Sequence, residues 1–402
     1  MFSETSRRLR FGAAATSLLV CALLLGLSPA SAVADEDQDG AAGHVYVLNN
    51  NLFGANSITS FARAANGRLT LSGVTDIGAQ GSLAAFADGT QGSLIRTRDG
   101  RRLFAVDAGS DQISVLNVHD GGLSLAGVFA SGGSGPVSLT YEDGLLYVLN
   151  AANASSTAAN VAGFRVDHDG ALHPIAGSTR LLSTAHPNPA QVLLDPQRRF
   201  LLITEKSTNL IDVYRVAHDG SLTGPTSVPS VGVYPFGMAF THRDSRTELI
   251  VDDGLGPGVP PGTGAVTAYR LADGQLHLVN GPVPDHQIAP CWMVITNNGR
   301  FAYTSDADSH AISGYRIHPD GTISLLNPDG VTGTTPADTF PLEEGLSRNS
   351  RFLYVLDSRL LLATPGPATL SGFRVHADGR LSQVVDPSAI TLPFSAIGLA
   401  SD

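Results

Sequence analysis

Seven copies of one turn signal limit how this chain can fold. An Asp-Gly or Asn-Gly dipeptide closes at Gly67, Gly121, Gly170, Gly220, Gly274, Gly321 and Gly379, at intervals of 47 to 58 residues. The full unit is plainest over residues 143–172. Asp143-Gly144 leads into the apolar run Leu145-Leu146-Tyr147-Val148-Leu149-Asn150. A loop follows, then Val161-Ala162-Gly163-Phe164-Arg165-Val166 and the second turn at Asp169-Gly170. Asp-Gly tolerates the positive φ that tight turns between antiparallel strands require. A period near 50 residues with several short strands marks a propeller blade rather than a helical array. No window sustains a 3.6-residue apolar pattern. The expected fold is all-β, a seven-bladed propeller of four-stranded antiparallel blades.

Within each blade the innermost strand, A, follows a proline, as in Gly135-Pro136-Val137, Asn188-Pro189-Ala190 and Tyr234-Pro235-Phe236. Strand B is the apolar run, without the alternation of a half-exposed strand, as suits a sheet packed on both faces. Strand C carries Ser-Gly-Tyr-Arg-Ile at 313–317 and Ser-Gly-Phe-Arg-Val at 371–375, and strand D follows the second turn. No strand A precedes His44. The matching stretch lies at the other end, Leu392-Pro393-Phe394-Ser395-Ala396-Ile397. The C-terminal strand is therefore expected to complete the first blade and remove the exposed edges.

The ends of the chain divide into segments. Arg7, Arg8 and Arg10 form a basic head, residues 12–27 an apolar centre, and Ala30-Ser31-Ala32 a cleavage site. That is the pattern of a secretory signal over 1–32, too short for a stable membrane anchor. Ser6-Arg7-Arg8 carries weak twin-arginine character. Residues 33–42 are acidic and lack an apolar pattern, as in a disordered spacer, and 43–402 make up the propeller. The expected product is a secreted monomer. Loss of 1–32 removes Arg7, Arg8, Arg10 and Glu4 and deepens a net charge of −11, which disfavours nucleic acid and anionic membranes as partners. Cys291 is then the only cysteine, so no disulfide forms within the chain.

The strand order places short A–B and C–D turns on one face, and B–C and D–A connections on the other. The second face is expected to carry long, dissimilar loops over 71–92, 150–160, 173–188, 252–264, 277–289, 323–342 and 357–370. Irregular loops on a rigid frame are where sites usually sit. His119, His168, His218, His318 and His376 recur beside the regular turns and are expected to be solvated turn residues, whereas His186 stands in a D–A loop. Strand B ends in a polar residue in every blade: Asn49, Asp107, Asn150, Glu205, Asp252 or Asp253, Asp306 and Asp357. Asp and Asn suit such ends because they bond the next backbone amides. Glu205-Lys206 breaks the series and is the candidate catalytic pair. Trp292, Gln191, Glu343-Glu344 and Arg348 lie on or near A strands. No HExxH, no G-x-S-x-G and no phosphate-binding glycine loop is present, and no metal or cofactor is expected.

These repeats resemble the seven-bladed propeller lactonase family, which includes bacterial 6-phosphogluconolactonases and fungal 3-carboxymuconate lactonising enzymes. The likeness covers 44–402 and rests on motifs such as Asn298-Gly299-Arg300-Phe301-Ala302-Tyr303 and Arg351-Phe352-Leu353-Tyr354-Val355. The resemblance implies a histidine where Ala190 stands, an Arg-His pair where Phe236-Gly237 follow Pro235, and a glutamate matched by Asp252 or Asp253. It also implies an arginine near Ala307, with Asp306 before it. Without those cations the chain suits neither a tricarboxylate nor a phosphorylated sugar lactone.

Two functions follow as expectations. The first is hydrolysis of a neutral lactone or ester, with Glu205 as general base, Lys206 or Arg348 stabilising the oxyanion, and Gln191, Trp292, His186, Glu344, Asp252 and Asp253 binding substrate. The second is a non-catalytic propeller that holds an extracellular glycan, peptide or wall component. The first needs Glu205 and a cation to converge on one pocket. The second needs only a shallow surface with aromatic side chains.

Overall fold

The computed structural model describes residues 42–82, 89–120, 122–152, 158–241, 247–254, 260–360 and 365–402. The expected signal segment and the spacer through residue 41 lie outside the described residues. Seven antiparallel sheets follow one another, each four strands deep. Strand A of blades 2 to 7 is Leu94–Arg96, Pro136–Glu142, Pro189–Leu194, Pro235–Phe240, Pro290–Ile295 and Phe340–Leu346. Strand B of blades 1 to 7 is Gly43–Asn49, Arg102–Asp107, Leu145–Asn150, Phe200–Glu205, Glu248–Asp253, Phe301–Asp306 and Phe352–Ser358. The A strands touch in the cyclic order of the blades and so ring a central channel. Among the described residues no helix is long and apolar enough to cross a membrane.

The first blade takes its strand A from the C-terminus. Ala396–Ser401 pairs with Gly43–Asn49, from Val45 opposite Ser401 to Asn49 opposite Ala396. It starts a few residues later than the sequence pattern, because Pro393 has no N–H for a ladder and Leu392 instead bridges Ala368 in blade 7. The end is tied again by Asp402, whose carboxylate meets Arg96 of blade 2 at 2.9 Å.

The apolar logic of strand B is visible in burial: every residue of Leu145–Asn150, Phe200–Glu205 and Phe301–Asp306 is buried. A tyrosine at the third position of strand B also joins blades. Tyr147, Tyr303 and Tyr354 donate from their hydroxyls to the carbonyls of Gly220, Gly379 and Gly67, each the C–D turn glycine of the next blade, at 2.7, 2.7 and 2.8 Å. Gly67 and Gly379 have φ of 93° and 94°, and a Cβ there would stand 2.4 Å from Phe352 and 2.6 Å from Phe301. The turn glycine is thus required twice, by its backbone and by the ring seated on it.

Two expectations change. Strand D occupies Leu69–Gln80 in blade 1, Gln275–Pro284 in blade 5 and Val331–Thr334 in blade 6, so much of three expected loops is outer strand. The polar ends of strand B also do not serve the following amides. They accept from hydroxyls on strand C, two rungs back on the ladder: Asp107 from Ser114 at 2.7 Å, Asp253 from Thr267 at 2.7 Å, Asp306 from Ser313 at 2.7 Å and Asp357 from Ser371 at 2.6 Å. Asn49 makes the same cross-strand contact in the opposite sense, donating from Nδ2 to the Thr59 hydroxyl at 2.8 Å. The clip is cross-strand, and all of these acids are buried.

Candidate functional site

The loop-bearing mouth of the channel is closed by the chain itself. Residues 89–92, the lead-in to blade 2, cross the mouth and bond to blades 3, 4, 6 and 7. Lys206 Nζ donates to the Gly89 carbonyl at 2.8 Å, and the Trp292 indole N–H to that of Thr90 at 2.9 Å. Gln91 spans to blade 6, where its carboxamide donates to the Met293 carbonyl at 2.7 Å and accepts the Met293 N–H at 3.0 Å. Its own N–H goes to Ala190 at 3.2 Å, and its carbonyl takes the Ser138 hydroxyl at 2.6 Å. Glu343 accepts the N–H groups of Gly92 and Ser93 with one oxygen and that of Leu399 with the other, at 2.6, 3.1 and 2.5 Å. It is a fastener rather than a reactive group. Burial pushes it up to about 7, against the pull of those amides.

Two of the positions that the family resemblance marks for catalysis, Ala190 and Phe236-Gly237, lie against this segment. Ala190 offers only its carbonyl. Phe236 lies edge-on to Trp292 with ring centres 5.1 Å apart and beneath Lys206 Nζ at 4.8 Å from its centre. Gly237 leaves the space Gln91 needs, since a Cβ there would stand 2.4 Å from Gln91 Oε1. Asp252, fully buried, accepts the Gly237 N–H at 2.6 Å, and burial holds its carboxyl well above the usual range.

The expected catalytic residues do not meet. Glu205 is fully buried and turns toward the preceding blade, where it accepts the Ser183 N–H at 3.0 Å and the Ser183 hydroxyl, and it also accepts the Thr208 hydroxyl of its own B–C loop at 2.6 Å. Beside it lies Asp212, on the strand C position that is Ser or Thr in the clips of other blades. In blade 4 the clip is therefore a carboxyl pair. Burial pushes Asp212 up to about 6, opposed by the Ser227 hydroxyl and aided by Glu205. Lys206 points the other way, into the mouth. Arg348 is exposed in the A–B turn of blade 7, on the opposite face from the end of strand B that carries Glu205. His186 is exposed on its loop, and Asp253 is taken up by the Thr267 clip.

Gln191 and Glu344 do come together, with Gln91 and Glu343, around a cavity of about 250 Å³ in the channel beneath the closed mouth. Gln91 belongs to no motif of the repeat. Asp212, an acid at a hydroxyl position of the repeat, is the signal that the sequence carries for the blade 4 departure. Among the described residues no group of three or more His, Cys, Asp or Glu is arranged to hold a metal ion.

Seven four-stranded blades and a ring closed by the last strand define a seven-bladed propeller. The sequence model of the family described as "Lactonase, 7-bladed beta-propeller" matches residues 92–250, which span blades 2 to 4 and the start of blade 5. No curated protein sequence matches the chain. The periplasmic gluconolactonase of Pseudomonas aeruginosa superposes with a TM-score of 0.62 at 16% identity, over 89% of this chain and 99% of that one. A candidate 6-phosphogluconolactonase of Bacteroides fragilis gives 0.63 at 16% identity, over 90% and 98%. A hypothetical selenium-binding protein of Sulfolobus tokodaii gives 0.62 at 10%, over 89% and 93%. Such distant likeness establishes the fold, and one fold hosts many activities.

Proposed function

We propose that the protein is an exported recognition propeller, a lactonase-type frame that holds a neutral extracellular glycan or peptide on its loop face. The observation that carries this reading is the divergence of Glu205 and Lys206. A general base needs access to water and substrate, whereas the Glu205 carboxylate is enclosed by Ser183, Thr208 and Asp212. The mouth above is filled by Thr90 and Gln91. The loop face instead presents exposed apolar side chains: Phe53 in the B–C loop of blade 1, Val231 and Val233 between blades 4 and 5, and Phe394 before the closing strand. Aromatic side chains at loop tips suit a shallow recognition surface. The acidic surface favours a neutral partner over an anionic one. Export rests on the basic head, apolar centre and Ala30-Ser31-Ala32.

The second reading, hydrolysis of a neutral lactone, is favoured by the family match and by the gluconolactonase likeness. One experiment separates them. Purified protein starting at Val33 is screened against lactones and aryl esters, and its retention on insoluble glycans and wall fractions is measured. The recognition reading expects no turnover, and retention that Phe53→Ser and Phe394→Ser weaken. Turnover that falls by roughly 10²–10⁴-fold in Glu205→Gln, the usual worth of a general base, establishes the hydrolase instead.

A further inference from the structure

The face that bears the short A–B and C–D turns carries its charge unevenly. In blades 3 and 4 the turns are acidic, with Glu142-Asp143, Asp167, Asp169 and Asp219, and Arg198 of blade 4 lies 3.7 Å from Asp143. Blades 6, 7 and 1 are the reverse. Arg300 ends the A–B turn of blade 6, and Arg348 and Arg351 stand in that of blade 7. Arg68 and Arg380 follow the C–D turn glycines of blades 1 and 7, and all five arginines are exposed. Arg316 and Arg374, less exposed, lie at the same end of strand C in blades 6 and 7. The carboxylates of these turns are Asp320 and Asp378, so the local charge is 7 − 2 = +5 on a chain whose net charge is −11. Asp402, at the seam of blade 1, is matched by Arg96 of blade 2.

The basic turns form one continuous patch. Asn297 of blade 6 donates its N–H to Ser350 Oγ at 2.8 Å and its carboxamide to the Arg348 carbonyl, which joins the two A–B turns. Arg316 Nη2 donates to the Asp378 carbonyl of blade 7 at 3.1 Å. Gly67 of blade 1 sits on Phe352 and accepts from Tyr354, which carries the patch across the seam. Arg300 and Arg316 rest 5.3 and 5.1 Å over the ring centre of Phe301, and Arg374 rests 5.4 Å over that of Phe352. Such ring contacts hold a guanidinium without neutralising it. Among the described residues, Arg380 alone of the seven pairs with a carboxylate, Asp378 at 2.7 Å. Like charges gathered without counter-charge repel, so their clustering on one side of an acidic protein points to an anionic partner.

We propose that the turn face of blades 6, 7 and 1 binds a linear anionic polysaccharide, its carboxylate or sulfate groups held by Arg68, Arg300, Arg348 and Arg351. This surface lies opposite the loop face and goes beyond the recognition reading above. Guanidinium forks match the paired oxygens of such groups. Charge spread over three blades suits a polymer charged along its length, whereas a single small anion is held in an enclosed pocket. A bilayer needs apolar side chains to enter it, and among the described residues none of the exposed large apolar side chains stands on these turns. Single-stranded nucleic acid needs exposed rings for its bases to stack on, and Phe301 and Phe352 are buried beneath their arginines. Double-stranded DNA is read by a helix or ribbon laid in a groove, which these short turns do not supply. The acids elsewhere on the chain act at a distance, where salt screens them beyond about 8 Å at physiological ionic strength.

The test titrates the whole protein with polygalacturonate, dextran sulfate and neutral dextran, by affinity electrophoresis and calorimetry. Binding is expected to the polyanions and not to dextran, and the tighter of the two names the acid group. It is expected to weaken by about ten-fold between 50 and 200 mM NaCl, because release of counterions drives such contacts. The triple variant Arg300→Ser, Arg348→Ser, Arg351→Ser is expected to bind about ten-fold more weakly or worse and to melt near the wild type, since all three side chains are exposed. The control variant Arg198→Ser, Arg199→Ser removes two exposed arginines of blade 4, outside the patch, and is expected to bind as the wild type does. The proposal is overturned by absence of binding to both polyanions at 50 mM NaCl, by binding that the triple variant keeps, or by an equal loss in the control variant. Tighter binding to a single-stranded oligonucleotide or to phosphatidylglycerol vesicles than to either polysaccharide overturns it as well.

Discussion

The Tyr354 hydroxyl of blade 7 donates a 2.8 Å hydrogen bond to the Gly67 carbonyl of blade 1, across the seam where the two ends of the chain meet. Its counterparts at Tyr147 and Tyr303 join neighbouring blades elsewhere in the ring. The seam thus carries the same joint as the rest of the ring in addition to its borrowed strand. Tyr354→Phe leaves a buried carbonyl unpaired and is expected to cost about 1–3 kcal/mol, read as a lower melting temperature. Gly67→Ala should cost more, since it meets both a φ of 93° and the Phe352 ring. A Tyr354→Phe protein that melts with the wild type shows that the strand alone holds the seam.

Deleting residues 391–402 removes the inner strand of blade 1 and the Asp402–Arg96 pair. The exposed edge of Gly43–Asn49 is expected to recruit other chains, so the truncated protein should elute as aggregates in size-exclusion chromatography. A monodisperse truncated protein that keeps the full heat resistance refutes the strand's structural role.

The buried clips make stability depend on pH. Burial pushes Asp357 and Asp253 up to about 8, opposed by their Ser371 and Thr267 hydroxyl bonds. An unfolded Asp titrates near 3.9. Between about pH 4 and pH 8 the unfolded chain therefore releases protons that the folded chain keeps. Stability from these groups is full below about pH 4 and is lost as pH rises toward 8. Asn already fills the equivalent place at Asn49 and Asn150 in blades 1 and 3. Asp357→Asn is thus expected to raise stability at pH 8 by on the order of 1–2 kcal/mol and to flatten the slope between pH 5 and pH 8. A variant that melts lower than the wild type at pH 8 contradicts this account.

Gln91 crosses the channel mouth to bond both backbone groups of Met293. Gln91→Ala strands that N–H and carbonyl and is expected to lower stability by about 2–4 kcal/mol, two buried bonds' worth. The variant should also show a rise in tryptophan fluorescence quenching by acrylamide, because Trp292 rests on the Thr90 carbonyl beside it. Unchanged quenching shows that the mouth stays closed without Gln91.

The blades were legible because their signals are local and repeated. Asp-Gly at Gly170 or Gly379 fixes a turn whatever surrounds it, and Phe352-Leu353-Tyr354 marks a strand buried on both faces. The closing strand was legible as a missing element at one end and a surplus at the other. The site was not legible, because its bonds join residues with no pattern in common. Gln91 and Met293 lie 202 residues apart, and neither belongs to a motif. Glu205 stood out for breaking the repeat, but its partner Asp212 breaks the same repeat seven residues later, and only the ladder register brings the two together. Gly237 looked like an absence. In the fold it is the space Gln91 occupies.

The borrowed strand also sets a timetable. Blades 2 to 7 each draw all their strands from one continuous stretch of chain, so each can form as soon as that stretch is made. Blade 1 has its outer three strands among the first residues and its inner strand at Ala396–Ser401. It must wait, half-built, until Ala396–Ser401 has been made. The ring therefore closes after six of its blades can already have formed, and the strand that closes it is the last to be made.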